Sequence, residues 1–233
     1  LDDGITEISP LLAEHIGTLR DLPILRISDT EAITQVVLQY MQHIPPIKGL
    51  VFAGGQSIRM GRDKGAINYH GKPQREHMAD ILSEFTENTY LSVRESANIK
   101  SNYPLLPDTF HDLGPFGGLL SAFRQDPDAA WLAVACDVPL VDRDVISQLT
   151  ANRDTSQTAT CFHNPHRNLP EPMLALWEPR AYQRLLQFLA LGYSCPQKVL
   201  INSPICELDT PDPSILTNVN TPSDYEAVQT LIA

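Results

Sequence analysis

Between Ala53 and Lys64 the chain reads Ala53-Gly54-Gly55-Gln56-Ser57-Ile58-Arg59-Met60-Gly61-Arg62-Asp63-Lys64. Glycine has no side chain and tolerates positive φ, so backbone N–H groups in such a loop can approach a polyanion closely. Arg59 and Lys64 can reach the same phosphate chain from two sides and offset charge that gathers in a transition state. The spacing is neither the Gly-x4-Gly-Lys-Ser/Thr of a Walker loop nor the GxGxxG of a dinucleotide fold. Ser57 lacks the GxSxG frame of a hydrolase elbow. The chemistry indicated is the handling of a triphosphate. A plain surface turn is the alternative, and the density of cations behind an apolar strand weighs against it.

A second set of polar residues falls where such chemistry needs it. Asp137 follows the apolar run 130–135, at the carboxyl end of a strand, where open α/β sheets bind ligands. A carboxylate there suits Mg²⁺, a hard cation that takes one or two carboxylates together with phosphate oxygens and water. The bland reading of Asp137 is a turn cap before Pro139. The segment Gly114-Pro115-Phe116-Gly117-Gly118 opens a helix, whose free N–H groups and partial positive charge favour an anion. Asn218 and Asn220 flank Val219, so on an extended segment both amides face one way. Cys161, His163 and His166 form a C-x-H-x-x-H set without an evident fourth ligand, and a solvated loop is preferred to a metal site.

The elements that must position these residues alternate. Strands are expected over 49–52, 89–93, 130–135 and 173–177, and helices over 74–85, from 117, and over 142–149, 180–191 and 223–232. Strands joined by helical crossovers imply an α/β fold with a Rossmann-like, doubly wound, mostly parallel sheet. Upstream, 22–28 reads as a strand, Ser28 or Asp29 as a cap, and the following residues as a helix. An earlier amphipathic stretch carries Leu11, Leu12, Ile16 and Leu19. These pieces cannot close a core alone. Residues 1–44 are therefore expected to be the tail of an upstream domain or an extension, and 45–233 the main domain. The Pro45-Pro46 pair reads as the linker.

The 233 residues carry a formal net charge of -11, which argues against general binding to nucleic acid or an anionic membrane. No run is long and apolar enough for a membrane span. The four cysteines show no CxxC pairing, and a reducing cytoplasm is the expected location.

Val51-Phe52-Ala53-Gly54-Gly55-x-Ser57-x-Arg59-Met60-Gly61-x-Asp63-Lys64 resembles the signature of the MobA-like nucleotidyltransferases, the family of the molybdenum cofactor guanylyltransferases. Four further segments fall in the family's order: Gly71-Lys72-Pro73, Gly114–Gly118, Cys136-Asp137-Val138-Pro139-Leu140 and Asn218-Val219-Asn220-Thr221-Pro222. The resemblance implies a sheet of the glycosyltransferase-A-like type. It implies Mg²⁺-dependent transfer of GMP from GTP to a molybdopterin-type acceptor, with Arg59, Lys64 and Asp137 as the catalytic set and Asp137 on the metal. The nucleotide and acceptor would meet Ala53, Gly54, Gly55, Ser57, Gly61, Asp108, Gly114, Pro115, Gly117, Gly118, Asn218 and Asn220. Asp108 or Asp112 supplies the acid for the N1 and N2 protons of guanine, and Asp108 fits the family's spacing better. The resemblance also implies that the loop containing Arg167 lies on the acceptor side, and Lys72 reads either as near the nucleotide or as a solvated turn lysine. The N-terminal residues resemble the tail of a MobB-like GTP-binding partner, fused or separate. The alternatives are a cytidylyl or sugar-phosphate nucleotidyltransferase on the same fold, or a non-catalytic GTP-binding partner in cofactor assembly.

Overall fold

The computed structural model describes residues 25–41, 44–54, 63–94 and 99–232, and the chain divides between Ile44 and Pro45 into two units. In the first unit, helix α1 (Thr30–Met41) is capped by Asp29, whose Oδ1 accepts the Ala32 N–H at 3.0 Å. The strand expected over 22–28 is absent from its described part. Ile27 and Ser28 form a turn, closed by the Asp29 N–H donating to Arg26 O at 3.1 Å. Bringing Asp29 to the helix end bends the chain there, which takes Ile27 out of any ladder. Residues 22–24 and the stretch 11–19 lie outside the described residues.

The second unit is built on one seven-stranded sheet. Its strands are β1 (Ile47–Phe52), β2 (Asn88–Val93), β3 (Leu105–Pro107), β4 (Ala130–Ala135), β5 (Ala159–Asn164), β6 (Leu169–Trp177) and β7 (Cys206–Leu208), in the spatial order β3-β2-β1-β4-β6-β5-β7. β6 runs antiparallel to both of its neighbours, and every other pairing is parallel. The helices are α2 (Gln74–Ser83), α3 (Pro115–Gln125), α4 (Arg143–Ala151), α5 (Arg180–Ala190), α6 (Pro196–Ile201) and α7 (Pro222–Ile232).

Period-two alternation divides each central strand between two cores. Val51, Leu132 and Val134 join Met78 and Leu82 of α2 and Ile146 and Leu149 of α4 on one face. Leu50, Phe52, Trp131 and Ala133 join Phe116 and Phe123 of α3 and Leu185 of α5 on the other. Fully burying each large apolar side chain contributes about 1.5–3 kcal/mol, so the central strands β1 and β4 anchor the molecule.

A third, much smaller cluster stands apart from both faces. Ile67, Val219 and Val228 form it, with Tyr69, Leu140 and Tyr225 packed around them. It joins the turn that follows Lys64, the loop that follows Asp137, and the segment leading into α7.

Four elements were not foreseen. β3 and β7 are three residues long, β5 (ATCFHN) mixes polar and apolar side chains, and α6 is a six-residue helix opened by Pro196. Each is too short or too irregular for periodicity to declare it.

Candidate active site

The carboxyl ends of β3, β2, β1 and β4 form one row. The ladders pair Val93 with Pro107, Phe52 with Ser92, and Phe52 with Ala135. Continued along the chain, the same register sets Asp108 beside Arg94, Arg94 beside Gly54, and Gly54 beside Asp137. The ladder does continue, since the Asp108 N–H donates to Val93 O (2.8 Å) and the Ala53 N–H to Ser92 O (2.9 Å). With adjacent strands roughly 4.8 Å apart, a base and a phosphate chain can lie side by side across this row.

A cleft of about 940 Å³ opens over it. Of the anticipated residues, Ala53, Gly54, Lys64, Asp108, Gly114, Pro115, Asp137 and Asn218 line the cleft, and so does Asp112. Gly55, Ser57, Arg59 and Gly61 lie outside the described residues. Asn220 joins the site through Lys64.

At one end, Lys64 Nζ donates to Asn220 Oδ1 at 2.6 Å and lies 3.4 Å from Asp137 Oδ2. Lys64 begins a single 3-10 turn, Lys64–Ala66. Asp63 caps that turn, its Oδ1 accepting the Gly65 N–H at 3.0 Å while Arg75 Nη1 holds Oδ2 at 2.5 Å. Asp137 is tied to the C-terminal segment by the Val219 N–H, which donates to Asp137 O at 2.9 Å. Asn220 is fixed in turn by the cap of α7, where Asp224 Oδ2 accepts the N–H groups of Asn220 (2.9 Å) and Thr221 (2.8 Å). Two oxygens, one from a carboxylate and one from an amide, thus already face a single cation. Among the described residues no three His, Cys, Asp or Glu side chains gather as a ligand set. A hard ion that takes most of its ligands from phosphate and water fits that donor set, and a transition metal does not.

At the other end, Ser92 Oγ donates to Asp108 Oδ1 at 2.9 Å. Burial raises the Asp108 carboxyl above its ordinary pKa, opposed by that hydrogen bond and by the charges of Arg94 and His111. Next to it, Gly114 (φ +57°) and Asp112 (φ 59°) take left-handed conformations that turn the chain into α3. A residue with a Cβ pays for such a φ, so the strain falls at the mouth of the cleft.

Gly117 and Gly118 do not line the cleft. Both are buried in the first turn of α3, and a Cβ on Gly118 would stand 2.6 Å from Ser92 Oγ and 3.0 Å from the Phe52 ring. Gly118 thus permits close helix–strand contact beneath the site, and Gly117 the close approach of the Phe110 carbonyl, which a Cβ would meet at 2.3 Å. Lys72 does not line it either and pairs with Asp80. His77 stacks on His70 with ring centroids 3.9 Å apart, and burial lowers its pKa to about 4. Cys161 is buried within β5, its thiol pushed up by desolvation, and His163 Nδ1 bonds Glu207 at 2.8 Å, so the C-x-H-x-x-H residues do not converge.

Sequence reasoning did not single out Arg94, Ser92, His111, Asp63 or Met173 among the cleft residues. Asp63 carried a readable signal, since an aspartate beside a turn often bonds the N–H two residues on. Ser92 and Arg94 are legible only after the register of β2 is known.

The family model of the MobA-like NTP transferase domain matches residues 49–202. A molybdenum cofactor biosynthesis bifunctional protein of Synechocystis is 35% identical over 184 residues, which is 77% of this chain and 53% of that protein. The chain thus spans about half the length of that relative. A molybdenum cofactor guanylyltransferase of Vibrio cholerae is 28% identical over 216 residues, 89% of this chain and 95% of the relative. Among solved structures, molybdopterin-guanine dinucleotide biosynthesis protein A of Archaeoglobus fulgidus has the same fold, with a TM-score of 0.66 at 21% identity, over 79% of this chain and 97% of that one. Among the described residues no helix is long and apolar enough to cross a membrane.

Proposed function

The chain belongs to the MobA-like NTP transferase family, and from that premise we propose that it transfers GMP from GTP to the terminal phosphate of a molybdopterin-type acceptor and releases pyrophosphate. The observation that carries the reading is the polarity of the cleft, with a carboxylate at Asp108 and the Lys64–Asp137 pair at opposite ends of one row of strand termini. The guanylyltransferase name of the Vibrio relative supports the choice of nucleotide. The four cysteines are all free of disulfides, which supports a cytoplasmic setting. A MobB-like partner, fused or separate, belongs to the same reading, and the bifunctional name of the Synechocystis relative supports it.

The acceptor phosphate is already an anion near neutral pH, so no general base is needed. The work of the chain is positioning and charge neutralisation. Lys64 offsets repulsion between the incoming phosphate and the triphosphate, with Arg59 assigned the same duty. Asp137 and the Asn220 amide oxygen would hold Mg²⁺, which would supply Lewis-acid withdrawal of charge from the phosphate oxygens. The Gly54 and Gly55 backbone cradles the phosphates, and Asp108 accepts the N1 and N2 protons of guanine. Asn218 meets the acceptor.

Incubation of the chain with molybdopterin, Mg²⁺ and either GTP or CTP tests this by pyrophosphate release. Release with GTP is expected. Faster release with CTP overturns the guanylyl assignment, and release with neither nucleotide overturns the enzyme.

A further inference from the structure

We propose that Arg94 donates to O6 of guanine and, with Asp108, sets the base specificity of the cleft, an inference that rests on the guanylyl reading. Arg94 is the first residue after β2, and the parallel ladder that ends at Val93 and Pro107 brings it alongside Asp108, the first residue after β3. Both residues line the cleft. Ser92, two positions earlier and so on the same face of the strand, donates to Asp108 Oδ1 at 2.9 Å. That bond sets the orientation of a carboxylate that lines the cleft. Arg94 is exposed, and among the described residues no hydrogen bond or ion pair holds its guanidinium. It is close enough to Asp108 for its charge to lower the carboxyl pKa against the effect of burial.

The base edge explains why these two groups stand together. Guanine presents in order the acceptor O6, the donor N1–H and the donor N2–H₂. A carboxylate can satisfy the two donors, and nothing in a carboxylate can satisfy O6. A planar guanidinium beside it supplies that hydrogen bond. Adenine turns an amine toward Arg94 and offers Asp108 no N1 proton. Cytosine likewise turns its amine toward the guanidinium. Both bases then leave like groups facing each other, which discriminates more strongly than a missing contact.

A phosphate role for Arg94 is the competing placement. The sheet order argues against it, because Lys64 and Asp137 gather beyond β4 and Gly54, just past β1, lies between them and Arg94. Arg94 thus belongs to the half of the row that ends in Asp108.

The test measures dissociation constants of the full chain with Mg²⁺ at pH 7 for GTP, 6-thio-GTP, ITP and inorganic tripolyphosphate. Sulfur at position 6 is a poorer acceptor, and ITP lacks only the N2 amine read by Asp108. In Arg94→Met, GTP is expected to bind about tenfold more weakly or worse. The preference for GTP over 6-thio-GTP disappears, while the preference for GTP over ITP and the affinity for tripolyphosphate persist. Arg94→Lys keeps the charge without the fork and is expected to recover only part of the 6-thio discrimination, which keeps the test decisive should the methionine variant not fold. An unchanged ratio of GTP to 6-thio-GTP, or an equal loss of tripolyphosphate binding, overturns the proposal. A parent protein that binds CTP better than GTP overturns instead the reading on which it rests.

Discussion

Lys64 Nζ lies 3.4 Å from Asp137 Oδ2, although 73 positions separate the two residues in the chain. The lysine meets the acid where a phosphate chain would enter, and neither side chain belongs to a main core. Lys64→Ala is therefore expected to lower turnover about 10²–10³-fold, the scale of removing one preorganised electrostatic contact. Its melting curve should match the parent. Steady-state pyrophosphate release beside circular dichroism decides the matter, and near-parental turnover removes Lys64 from charge neutralisation.

Asp108 links stability and function with opposite signs. Burial raises its carboxyl pKa above the unfolded value. Such a group stabilises the fold when protonated, an effect fully present below the unfolded pKa and lost as pH rises through the folded one. At pH 7 the ionised carboxylate is thus a cost. Asp108→Asn is expected to melt higher than the parent at pH 7, with the difference narrowing as pH falls into the carboxylate range. The same substitution weakens GTP binding, since the amide offers one acceptor where two are required. A lower melting temperature for Asp108→Asn at pH 7 contradicts this account.

Gly118→Ala tests the packing under the site. The added methyl meets Ser92 Oγ and the Phe52 ring, both held in the central sheet. Overpacking of this kind costs about 1–3 kcal/mol, readable by urea denaturation. Because Ser92 orients Asp108, the Michaelis constant for GTP should rise as well. Loss of stability with unchanged GTP kinetics would separate the helix contact from the base site.

Arg153 and Glu178 form a two-pronged ion pair, at 2.7 and 2.8 Å, with Glu178 only 1% exposed. Arg153 also donates to Pro45 O at 2.9 Å, tying the start of the second unit to the end of α4. Arg153→Ala leaves a carboxylate without its partner in the interior, a change that costs about 3–5 kcal/mol. Arg153→Met with Glu178→Leu should cost much less. Chemical denaturation of the single and paired variants measures the difference, and equal losses would place the stabilisation in the Pro45 contact.

The central strands and all the longer helices were legible in the sequence because each is amphipathic or apolar over several residues, as in AWLAVA at β4. What escaped notice depends on pairing. The antiparallel course of β6 and the existence of β3, β5 and β7 follow from neighbours distant in the chain, and no local pattern encodes them. The same holds within the cleft. Lys64, Asp137, Asn218 and Asn220 could be picked out because residue type and motif order marked them. Ser92 and Arg94 look like ordinary members of a strand end until β3 is laid beside β2. Gly118 shows the converse, since a glycine beside a helix start resembles part of a phosphate cradle and here accommodates a close crossing over Ser92 and Phe52. The turn at Ile27 and Ser28 replaced an anticipated strand because an aspartate cap outweighs a short apolar run.

The little cluster of Ile67, Val219 and Val228 has a consequence for how this molecule fails. It packs together the three chain segments bearing Lys64, Asp137 and Asn220 with only three buried side chains, whereas Trp131 and Trp177 sit in a far larger apolar mass. Sparse packing opens at lower free energy than dense packing. Warming or mild urea should therefore silence transfer while tryptophan emission still reports an intact interior, and a protease should clip the tail ahead of the sheet.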